Sequence, residues 1–509
     1  MTHPEEKPTI LIVGAGIGGI TTAAHLARAG YRVKVFEKNE KPGGRCGQMT
    51  IQKYRFDTGA TLFLMPELYA ETYAALGERM EDCLDLHRID PTYHLFFQDN
   101  SQLQLTSDLH ELMSQVEAIE PGSFEYLLHY LGEGSYHYKL SLSGLIRKDF
   151  RTLPQFINPH MIWLFLRLKA LTRHDRYAKR FFKSPKMQMA FTFQDMYMGL
   201  SPYESPATYS LMQYAELSAG LYYPMGGMYR IVETLTAIAE KLGVVFIYKS
   251  PVTKILTEGG HATGLELSDG QTVFGDIVVA NADLGYVYRS LLPDDGTAAR
   301  MDRKEYGCST VMFYWGLDRQ FPQLGPHNLF FCGDYRKEFD DIFNNLTMPG
   351  QPNFYIHAPA RLDPSAAPEG GDSLYAAVPV GHIKETLHQD WPGIQMRART
   401  FMIERLAQVG VPDLEEHIKV DFCLGPRDWQ NRYNLTYGSV HGLSHKLTQM
   451  GYFRPHNRHK IYHNLYFVGA STHPGTGIPT VLVSARLTAQ RIQDDQPGGK
   501  KHHLVGDIT

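Results

Sequence analysis

Three glycines near the amino terminus have the spacing of a dinucleotide-binding turn. Gly14, Gly16 and Gly19 follow the apolar run Thr9–Val13 and precede a run of small residues that ends at Gly30. In such a motif the first glycine permits a tight turn and the second lets the backbone approach a pyrophosphate. The third lets helix and strand pack closely. The helix that follows would present unpaired N–H groups and the positive end of its dipole to the phosphates.

An acidic residue completes this pattern. Glu37 directly follows the next apolar run, Arg32–Phe36, about 20 residues after the glycines, where a carboxylate accepts hydrogen bonds from ribose hydroxyls. Strand, helix, second strand and acid therefore predict a βαβ unit that binds a dinucleotide. The alternative is a glycine-rich turn without a ligand, which the complete set of elements disfavours.

A second glycine segment indicates which nucleotide is bound. Residues 41–45 read Lys-Pro-Gly-Gly-Arg, and the sequence Phe-Asp-Thr-Gly ends at Gly59. With these segments the chain resembles FAD-dependent enzymes of the flavin amine oxidase and phytoene desaturase superfamily. The resemblance implies that Gly43, Gly44 and Arg45 contact the FAD pyrophosphate and that the backbone near Gly59 passes the flavin.

The most specific segment lies near the carboxyl terminus. Residues 464–480, Asn-Leu-Tyr-Phe-Val-Gly-Ala-Ser-Thr-His-Pro-Gly-Thr-Gly-Ile-Pro-Thr, resemble the closing signature of bacterial and fungal-type carotenoid desaturases. A strand ending at Gly469 and a glycine turn would bring the backbone close to a flat ring. A helix beginning near Pro479 would aim its N–H groups at the flavin and stabilise the negative charge of its reduction. Gly469, Gly477, Ile478 and Pro479 are therefore predicted FAD contacts.

The resemblance extends from about residue 9 to about residue 492. Val252, in the predicted strand Pro251–Leu256, completes the predicted FAD contacts. The further matching segments are residues 223–228 (Tyr-Pro-Met-Gly-Gly-Met), 276–283 (Asp-Ile-Val-Val-Ala-Asn-Ala-Asp), 453–458 (Phe-Arg-Pro-His-Asn-Arg) and, more loosely, 431–439.

The positions of these motifs predict an α/β fold with a discontinuous, Rossmann-like FAD-binding domain. An α+β substrate-binding domain, residues 66–106 and 291–454, would be interleaved with it. Residues 107–224, which are mostly helical in pattern, would form a membrane-facing portion, and residues 496–509 a flexible tail. The predicted FAD-binding pieces are residues 1–65, 225–290 and 455–495.

Composition excludes several classes of protein. Of the 509 residues, 20% are charged and the formal net charge is -4, which disfavours a disordered chain and a nucleic-acid binder. The five cysteines make no CxxC pair and the 23 histidines show no HExxH spacing, so we predict no metal site. The 30 Tyr and 26 Phe could line a large apolar cavity as well as fill cores.

The uneven distribution of charge along the chain indicates where the protein is located in the cell. Residues 145–186 contain eleven Lys or Arg and two acids among many aromatic side chains, a net +9 that leaves -13 for the rest. This segment is either a solvated helical face or an interfacial patch that meets anionic headgroups, and the uneven charge favours the patch. The amino terminus has acids where a secretion signal is basic, and no stretch reaches the ~18 apolar residues of a spanning helix. We therefore predict a cytoplasmic protein peripherally associated with the membrane.

The resemblance implies FAD-dependent desaturation of a linear carotenoid precursor such as phytoene or diapophytoene, with the chain length left open. This hydrophobic polyene would enter a tunnel of aromatic and Met side chains and lose one hydrogen as hydride and one as a proton. Because no second complete GxGxxG unit supports NAD(P) binding, oxygen or a quinone is the expected electron acceptor. The alternatives are a later-acting carotenoid desaturase, isomerase, saturase or terminal oxidase, a flavin amine oxidase, and a non-catalytic flavoprotein.

No catalytic residue is assigned from the sequence. Asp195 and Glu216 lie in the family-like stretch before residues 223–228, and each is either a proton acceptor or a surface carboxylate. His473, in the closing signature, is either a catalytic base or a structural histidine that orders the turn near the flavin. The structural role is favoured for His473, because the residue sits in a tight turn.

Overall fold

The computed structural model describes residues 7–496. Predictions that concern residues 1–6, or the tail after Gln496, lie outside the described residues. The β-strands are β1 (Thr9–Val13), β2 (Arg32–Phe36), β3 (Gln48–Ile51), β4 (Tyr54–Asp57), β5 (Leu86–Ile89), β6 (Tyr93–Phe96), β7 (Gln102–Leu105), β8 (Leu221–Pro224), β9 (Val245–Ile247), β10 (Val252–Glu258), β11 (His261–Leu267), β12 (Thr272–Phe274), β13 (Ile277–Ala280), β14 (Ser309–Leu317), β15 (His327–Phe330), β16 (Phe354–His357), β17 (Asp372–Val380), β18 (Ile418–Leu424) and β19 (Leu465–Phe467). The α-helices are α1 (Ile17–Arg28), α2 (Pro66–Leu76), α3 (Met80–Cys83), α4 (Leu109–Ile119), α5 (Ser123–Ser141), α6 (Leu153–Phe156), α7 (Pro159–Arg167), α8 (His174–Ala178), α9 (Pro185–Ala190), α10 (Leu211–Tyr214), α11 (Tyr229–Lys241), α12 (Leu284–Tyr286), α13 (Thr297–Asp302), α14 (Tyr335–Phe343), α15 (Trp391–Gln408), α16 (Leu414–His417), α17 (Pro426–Tyr433) and α18 (Ile478–Asp495).

A five-stranded parallel sheet carries the amino-terminal motif. Its strand order is β19-β13-β1-β2-β9, so adjacent strands come from distant parts of the chain. In β1, Ile10 and Ile12 share a core with helices α1, α11 and α18, whereas Leu11 and Val13 pack toward the antiparallel sheet β10-β11-β12. Because both faces are covered, the central strands are apolar throughout. The predicted α/β fold is confirmed.

Helix α2 packs in the same core as the parallel sheet. Tyr69, Tyr73 and Leu76 recur at the helical spacing i, i+4, i+7 and are buried with the residues of α1. The motif positions instead predict that residues 66–106 belong to the substrate-binding part. Only the later portion of that range, strands β6 and β7, joins the second sheet.

The second sheet has seven strands in the order β18-β14-β17-β16-β15-β6-β7. All neighbouring strands are antiparallel except β15 and β6, which are parallel. In β14, Val311, Phe313 and Trp315 pack with helix α15, and the alternate residues Met312 and Tyr314 point to the opposite face. That opposite face forms one wall of the cavity described below.

The region 107–224 is mostly helical, but its helices after α5 are short. Pro154, Pro159 and Pro185 stand in the first turns of α6, α7 and α9. Proline fits the first turn of a helix and cannot continue a preceding one, so the region is divided into short pieces. None of the helices between residues 7 and 496 has the length and apolar character needed to cross a bilayer.

A buried arginine ties the closing signature to the loop before it. Arg454 is 1% exposed, and burial lowers the pKa of its guanidinium to about 10. All of its hydrogen bonds within the described chain go to backbone carbonyls from two separate loops. The acceptors are the carbonyl oxygens of Leu443 (3.1 Å), Ser444 (3.1 Å), Gln449 (3.3 Å), Ala470 (2.5 Å) and Thr472 (3.0 Å).

Replacing this arginine should destabilise the protein. In Arg454→Met the buried carbonyls lose a charged donor together, a loss of about 3 kcal/mol or more. We expect a thermal unfolding midpoint several degrees lower in differential scanning fluorimetry. Lys460→Met, at an exposed site nearby, is the matched control and should leave the midpoint unchanged. Equal midpoints for both variants would contradict this role of Arg454.

Candidate active site

The loop between β1 and α1 closely approaches the side chain of Asn281. The Gly14 carbonyl accepts a hydrogen bond from Asn281 Nδ2 at 3.2 Å. A Cβ at Gly16 would lie 2.9 Å from Asn281 Nδ2, and one at Gly18 would lie 2.6 Å from its Oδ1. A Cβ at Gly19 would overlap the Gly14 carbonyl, so this glycine serves helix packing. Helix α1 has no side-chain cap at its amino terminus, which leaves the N–H groups of its first turn for an anion.

The second glycine segment lies against this loop. The Gly43 N–H donates to the Ala15 carbonyl at 2.7 Å, and Gly43 and Gly44 have φ of 117° and 55°. Arg45 Nη1 donates to the Val440 carbonyl at 2.8 Å, and within residues 7–496 its other guanidinium N–H groups have no hydrogen-bond acceptor. The segment thus combines free cationic donors with a backbone that lacks side chains, which suits a pyrophosphate.

Glu37 is held rigidly at the end of β2. Its Oε2 accepts from the Ala15 N–H at 2.8 Å, and its Oε1 accepts from the backbone N–H and the side-chain amide of Asn39 at 2.9 and 2.8 Å. The carboxylate is buried and lines the cavity. A carboxylate accepts about four hydrogen bonds, and Oε1 already accepts two, so the remaining acceptor capacity for a ribose hydroxyl lies on Oε2.

The closing signature supplies a helix amino terminus to the same cavity. Gly469 follows β19 with φ of 121°, and Gly477 precedes α18 with φ of 104°. Helix α18 begins at Ile478, one residue before the predicted Pro479, and has no side-chain cap. Across the cavity, the Gly59 carbonyl accepts from Tyr375 Oη at 2.9 Å. Uncapped N–H groups facing a cavity suit a ring that gains negative charge.

These segments meet in one cavity of about 610 Å³. Among the predicted FAD contacts only Gly19 does not line it. The twelve lining residues from the prediction are Gly14, Gly16, Glu37, Gly43, Gly44, Arg45, Gly59, Val252, Gly469, Gly477, Ile478 and Pro479. The glycine cradle, the free arginine donors and the uncapped helices fit FAD. Their assignment as FAD contacts remains a prediction.

The cavity continues past the glycine loops into an apolar region. One wall is the face of the seven-stranded sheet that carries Met312, Tyr375 and Tyr355, and the opposite wall comes from the helical region. Tyr314 Oη donates to the Thr58 carbonyl at 2.7 Å, so the sheet also supports the backbone near Gly59. The aromatic and Met side chains that line this region include Tyr93, Phe193, Met196, Tyr197, Met198, Tyr209, Met212, Met312, Phe331, Tyr335, Tyr355 and Tyr375.

Two residues of the site belong to the matching segment 276–283 but have no role in the sequence-based prediction. Asn281 and Asp283 both line the cavity. Asp283 accepts hydrogen bonds from Thr436 Oγ1 at 2.9 Å and Ser471 Oγ at 3.2 Å, and burial raises the pKa of this carboxyl. Their position directly after the apolar run 276–280 could have indicated a place in the site, because loops at the carboxyl ends of parallel strands meet at one edge of the sheet.

The three candidate catalytic residues lie outside the cavity wall. His473 Nε2 bonds the Lys148 carbonyl at 2.6 Å, and burial lowers its pKa to about 4, which fits a structural role. Asp195 is fully buried and bonds His174 Nδ1 at 2.9 Å. Glu216 is buried beside Gln194, whose Nε2 donates to it at 2.9 Å, and burial raises the pKa of Glu216 to about 7. Neither acid is a surface carboxylate. Between residues 7 and 496 no cluster of three His, Cys, Asp or Glu side chains could hold a metal ion.

The parallel sheet with its glycine loops and the cavity beside it are those of an FAD-binding oxidoreductase, and comparisons with known proteins identify the family. The model of the flavin-containing amine oxidoreductase family matches residues 17–493. The chain is 43% identical over 494 residues to a zeta-carotene-forming phytoene desaturase of Myxococcus xanthus, covering 97% of this chain and 95% of that one. It is 32% identical to a 4,4'-diapophytoene desaturase of Staphylococcus haemolyticus, covering 96% and 100%. The chain therefore belongs to the flavin-containing amine oxidoreductase family, within its carotenoid desaturase branch, and its cofactor is FAD.

Solved structures agree with the fold. A putrescine oxidase variant superimposes with a TM-score of 0.63 at 14% identity, covering 96% of this chain and 98% of that one. An oxidoreductase from Methanosarcina mazei gives a TM-score of 0.60 at 15% identity, covering 95% and 100%. At these identities the likeness concerns the fold alone.

Removing the arginine of the second glycine segment should weaken FAD binding. In Arg45→Gln the pyrophosphate would lose charge-assisted hydrogen bonds, so we expect the FAD dissociation constant to rise about tenfold or more. Titration of the apoprotein with FAD, followed by quenching of flavin fluorescence, measures the change. Lys41→Gln, at an exposed residue of the same segment, should leave the constant unchanged. A wild-type constant in Arg45→Gln would show that Arg45 does not contact the phosphates.

Proposed function

We propose that the chain catalyses FAD-dependent desaturation of a linear carotenoid precursor such as phytoene or diapophytoene. The observation that carries this proposal is the single cavity in which the glycine loops open directly into an aromatic and Met-lined region. A long hydrocarbon needs such a wall, because every part of it must leave water. Relatives that are named phytoene desaturase or 4,4'-diapophytoene desaturase support the same substrate class here.

The side chains of the cavity position the substrate and exclude water. Bound FAD supplies the two-electron acceptor of the dehydrogenation. Tyr314 and Tyr375 fix the backbone of Thr58 and Gly59 through their hydroxyl groups, so the wall beside the cofactor is rigid. The apolar lining keeps solvent away from the allylic carbons while hydrogen is removed. Oxygen or a quinone is the proposed final electron acceptor.

The cavity does not favour an amine substrate. A cationic amine in a dry cavity requires an acidic or strongly polar partner. Three carboxyl groups of the described chain lie in the wall. Glu37 accepts hydrogen bonds at the end of β2, and Asp283 accepts them from Thr436 and Ser471. Glu338 lies at the other end of the cavity from Gly59. The hydroxyl groups of Tyr314 and Tyr375, beside Gly59, already donate hydrogen bonds to backbone carbonyls. These contacts favour a hydrocarbon over an amine.

Reduction of the flavin by substrate distinguishes an enzyme from a non-catalytic flavoprotein. The holoenzyme is mixed without oxygen with liposomes that contain phytoene or diapophytoene. We expect the flavin absorbance to bleach with one of them, and mass analysis to find a product lighter by two hydrogens for each step. Empty liposomes are the control. An unbleached flavin with both precursors would contradict this function and favour a later-acting enzyme of the same branch.

We also propose that the protein docks peripherally on the cytoplasmic face of a membrane through residues 145–186. Six of the sixteen large hydrophobic residues exposed in the described chain lie in this segment. Ile146, at its beginning, lines the cavity, so the segment extends from the surface to the substrate region. The exposed apolar residues are Leu153, Ile157, Ile162, Trp163, Leu166 and Leu171.

Some of the basic residues in this segment are neutralised by ion pairs, and the remaining ones support the same proposal. Lys186 and Arg151 pair with acids outside the segment, Asp99 at 2.5 Å and Asp494 at 2.7 Å. Six basic residues have no ion-pair partner within the described chain. They are Lys148, Arg167, Lys169, Arg176, Arg180 and Lys183. Unpaired cations beside exposed apolar side chains suit anionic headgroups above an acyl region.

Polar substitutions in the segment should weaken vesicle binding. We expect the double variant Leu166→Ser, Leu171→Ser to lower the partition coefficient on anionic liposomes at least tenfold, because each leucine contributes about 1.5 kcal/mol or more when buried. Sedimentation with vesicles measures the change. Phe274→Ser with Met396→Ser removes residues of similar exposure, 71% and 68%, outside the segment and should have no effect. Equal binding of both variants would refute docking through this segment.

A further inference from the structure

Glu338 is a buried carboxyl in the wall of the apolar cavity. It is 3% exposed, and its Oε1 accepts from the Asn353 N–H at 2.9 Å. Its Oε2 has no hydrogen-bond partner within the described chain, and no cation forms an ion pair with Glu338 there. Burial, together with the nearby Asp341, raises the pKa of Glu338 to about 8. The group is therefore largely protonated near pH 7 and able both to donate and to accept.

Asn353 adds a second polar group at the same place. It also lines the cavity, and its Oδ1 accepts from the Cys332 N–H at 2.8 Å. Its side-chain N–H groups have no acceptor among residues 7–496. A carboxyl and an amide N–H with unused capacity, side by side in an otherwise apolar wall, are unfavourable unless a ligand or water bonds them.

The register of the second sheet places this pair far from the flavin loops. Tyr314 pairs with Tyr375 in the row that contacts Thr58 and Gly59. Four residues earlier along β14, Thr310 pairs with Pro379. Asn353, directly before β16, lies at that same end, because Tyr355 pairs with Ala377. At about 3.3 Å per residue, the two ends of the cavity wall are about 13 Å apart.

We infer that the end of the cavity at Glu338 and Asn353 binds an oxygen-bearing terminus, a hydroxyl or a carbonyl, of a linear polyene whose middle lies along the tyrosine wall. A hydroxyl donates to Glu338 and accepts from the Asn353 amide, and a carbonyl accepts from both groups. This inference rests on the proposed function for the reaction and for the polyene chain, and it extends the substrate class from the hydrocarbons named there to polyenes with an oxygenated end. An oxygenated polyene fits this end better than a pure hydrocarbon, which leaves both groups without partners.

Binding of matched polyenes to the holoenzyme tests the inference without requiring turnover. The probes are a linear polyene hydrocarbon and the same polyene with one terminal hydroxyl, each in phosphatidylcholine vesicles, and quenching of protein fluorescence reports binding. We expect wild type to bind the hydroxylated polyene about tenfold more tightly, which corresponds to about 1.4 kcal/mol. Glu338→Leu should abolish the difference and leave hydrocarbon binding unchanged. Asp340→Ala, exposed on the same helix, should behave as wild type.

Each other outcome overturns the inference. Equal binding of both polyenes by wild type would mean that water satisfies the hydrogen bonds of Glu338 and Asn353 as well as the polyene hydroxyl does. A difference that survives Glu338→Leu, or an equal loss of both polyenes in that variant, would exclude recognition by this carboxyl. If Glu338→Leu does not fold, the isosteric Glu338→Gln is measured in its place. This variant should reduce the difference in affinity between the two polyenes and still bind the hydrocarbon. An unchanged difference in affinity would refute recognition of the hydroxyl by Glu338. Failure of wild type to bind either polyene would instead refute the proposed function, and the inference with it.

Discussion

The parallel pairing of β1 with β13 is the constraint on which the site depends. Val13 lies opposite Ala280, and this register places Asn281 beneath the glycine loop, where its amide bonds the Gly14 carbonyl. The loop keeps its shape because side-chain atoms fill the space that a Cβ would need at Gly16. The pairing joins segments more than 260 residues apart in sequence, so closing the chain precedes the formation of a cofactor site.

The second sheet has a comparable influence on the substrate region. Alternation along β14 buries Trp315 under α15 and turns Met312 toward the cavity, with Tyr314 packed on that same face of the sheet. The same tyrosine row bonds the backbone beside Gly59, so one sheet supports the cofactor loops and guides the substrate. A shift of one residue in this register would bury the tyrosines in the wrong core. The length of the cavity is thus set by strand geometry more than by any single side chain.

The sequence indicates which loops form the candidate cofactor site, because each of these loops has a local pattern of residues. Glycine spacing, a terminal acid and the closing turn each act within a few residues, and twelve of the thirteen predicted contacts line the cavity. Asn281, Asp283 and Glu338 received no role from the sequence, because their importance comes from what lies opposite them after folding. Helix α2 was assigned to the other domain for the same reason, since its tyrosine stripe fits either core. The prolines of the helical region are a sequence signal that short helices follow one another there, although the sequence-based prediction described the region only as mostly helical.

The position of α18 has a consequence for how the protein is made. This helix provides an uncapped amino terminus to the cavity, and β19 completes the parallel sheet. Both follow the glycine loop by more than 440 residues (Gly19 to Leu465). The loop therefore cannot acquire its full ligand site until these two segments have also left the ribosome. A nascent chain that carries only the glycine loop lacks the strand and the helix end that complete the cavity.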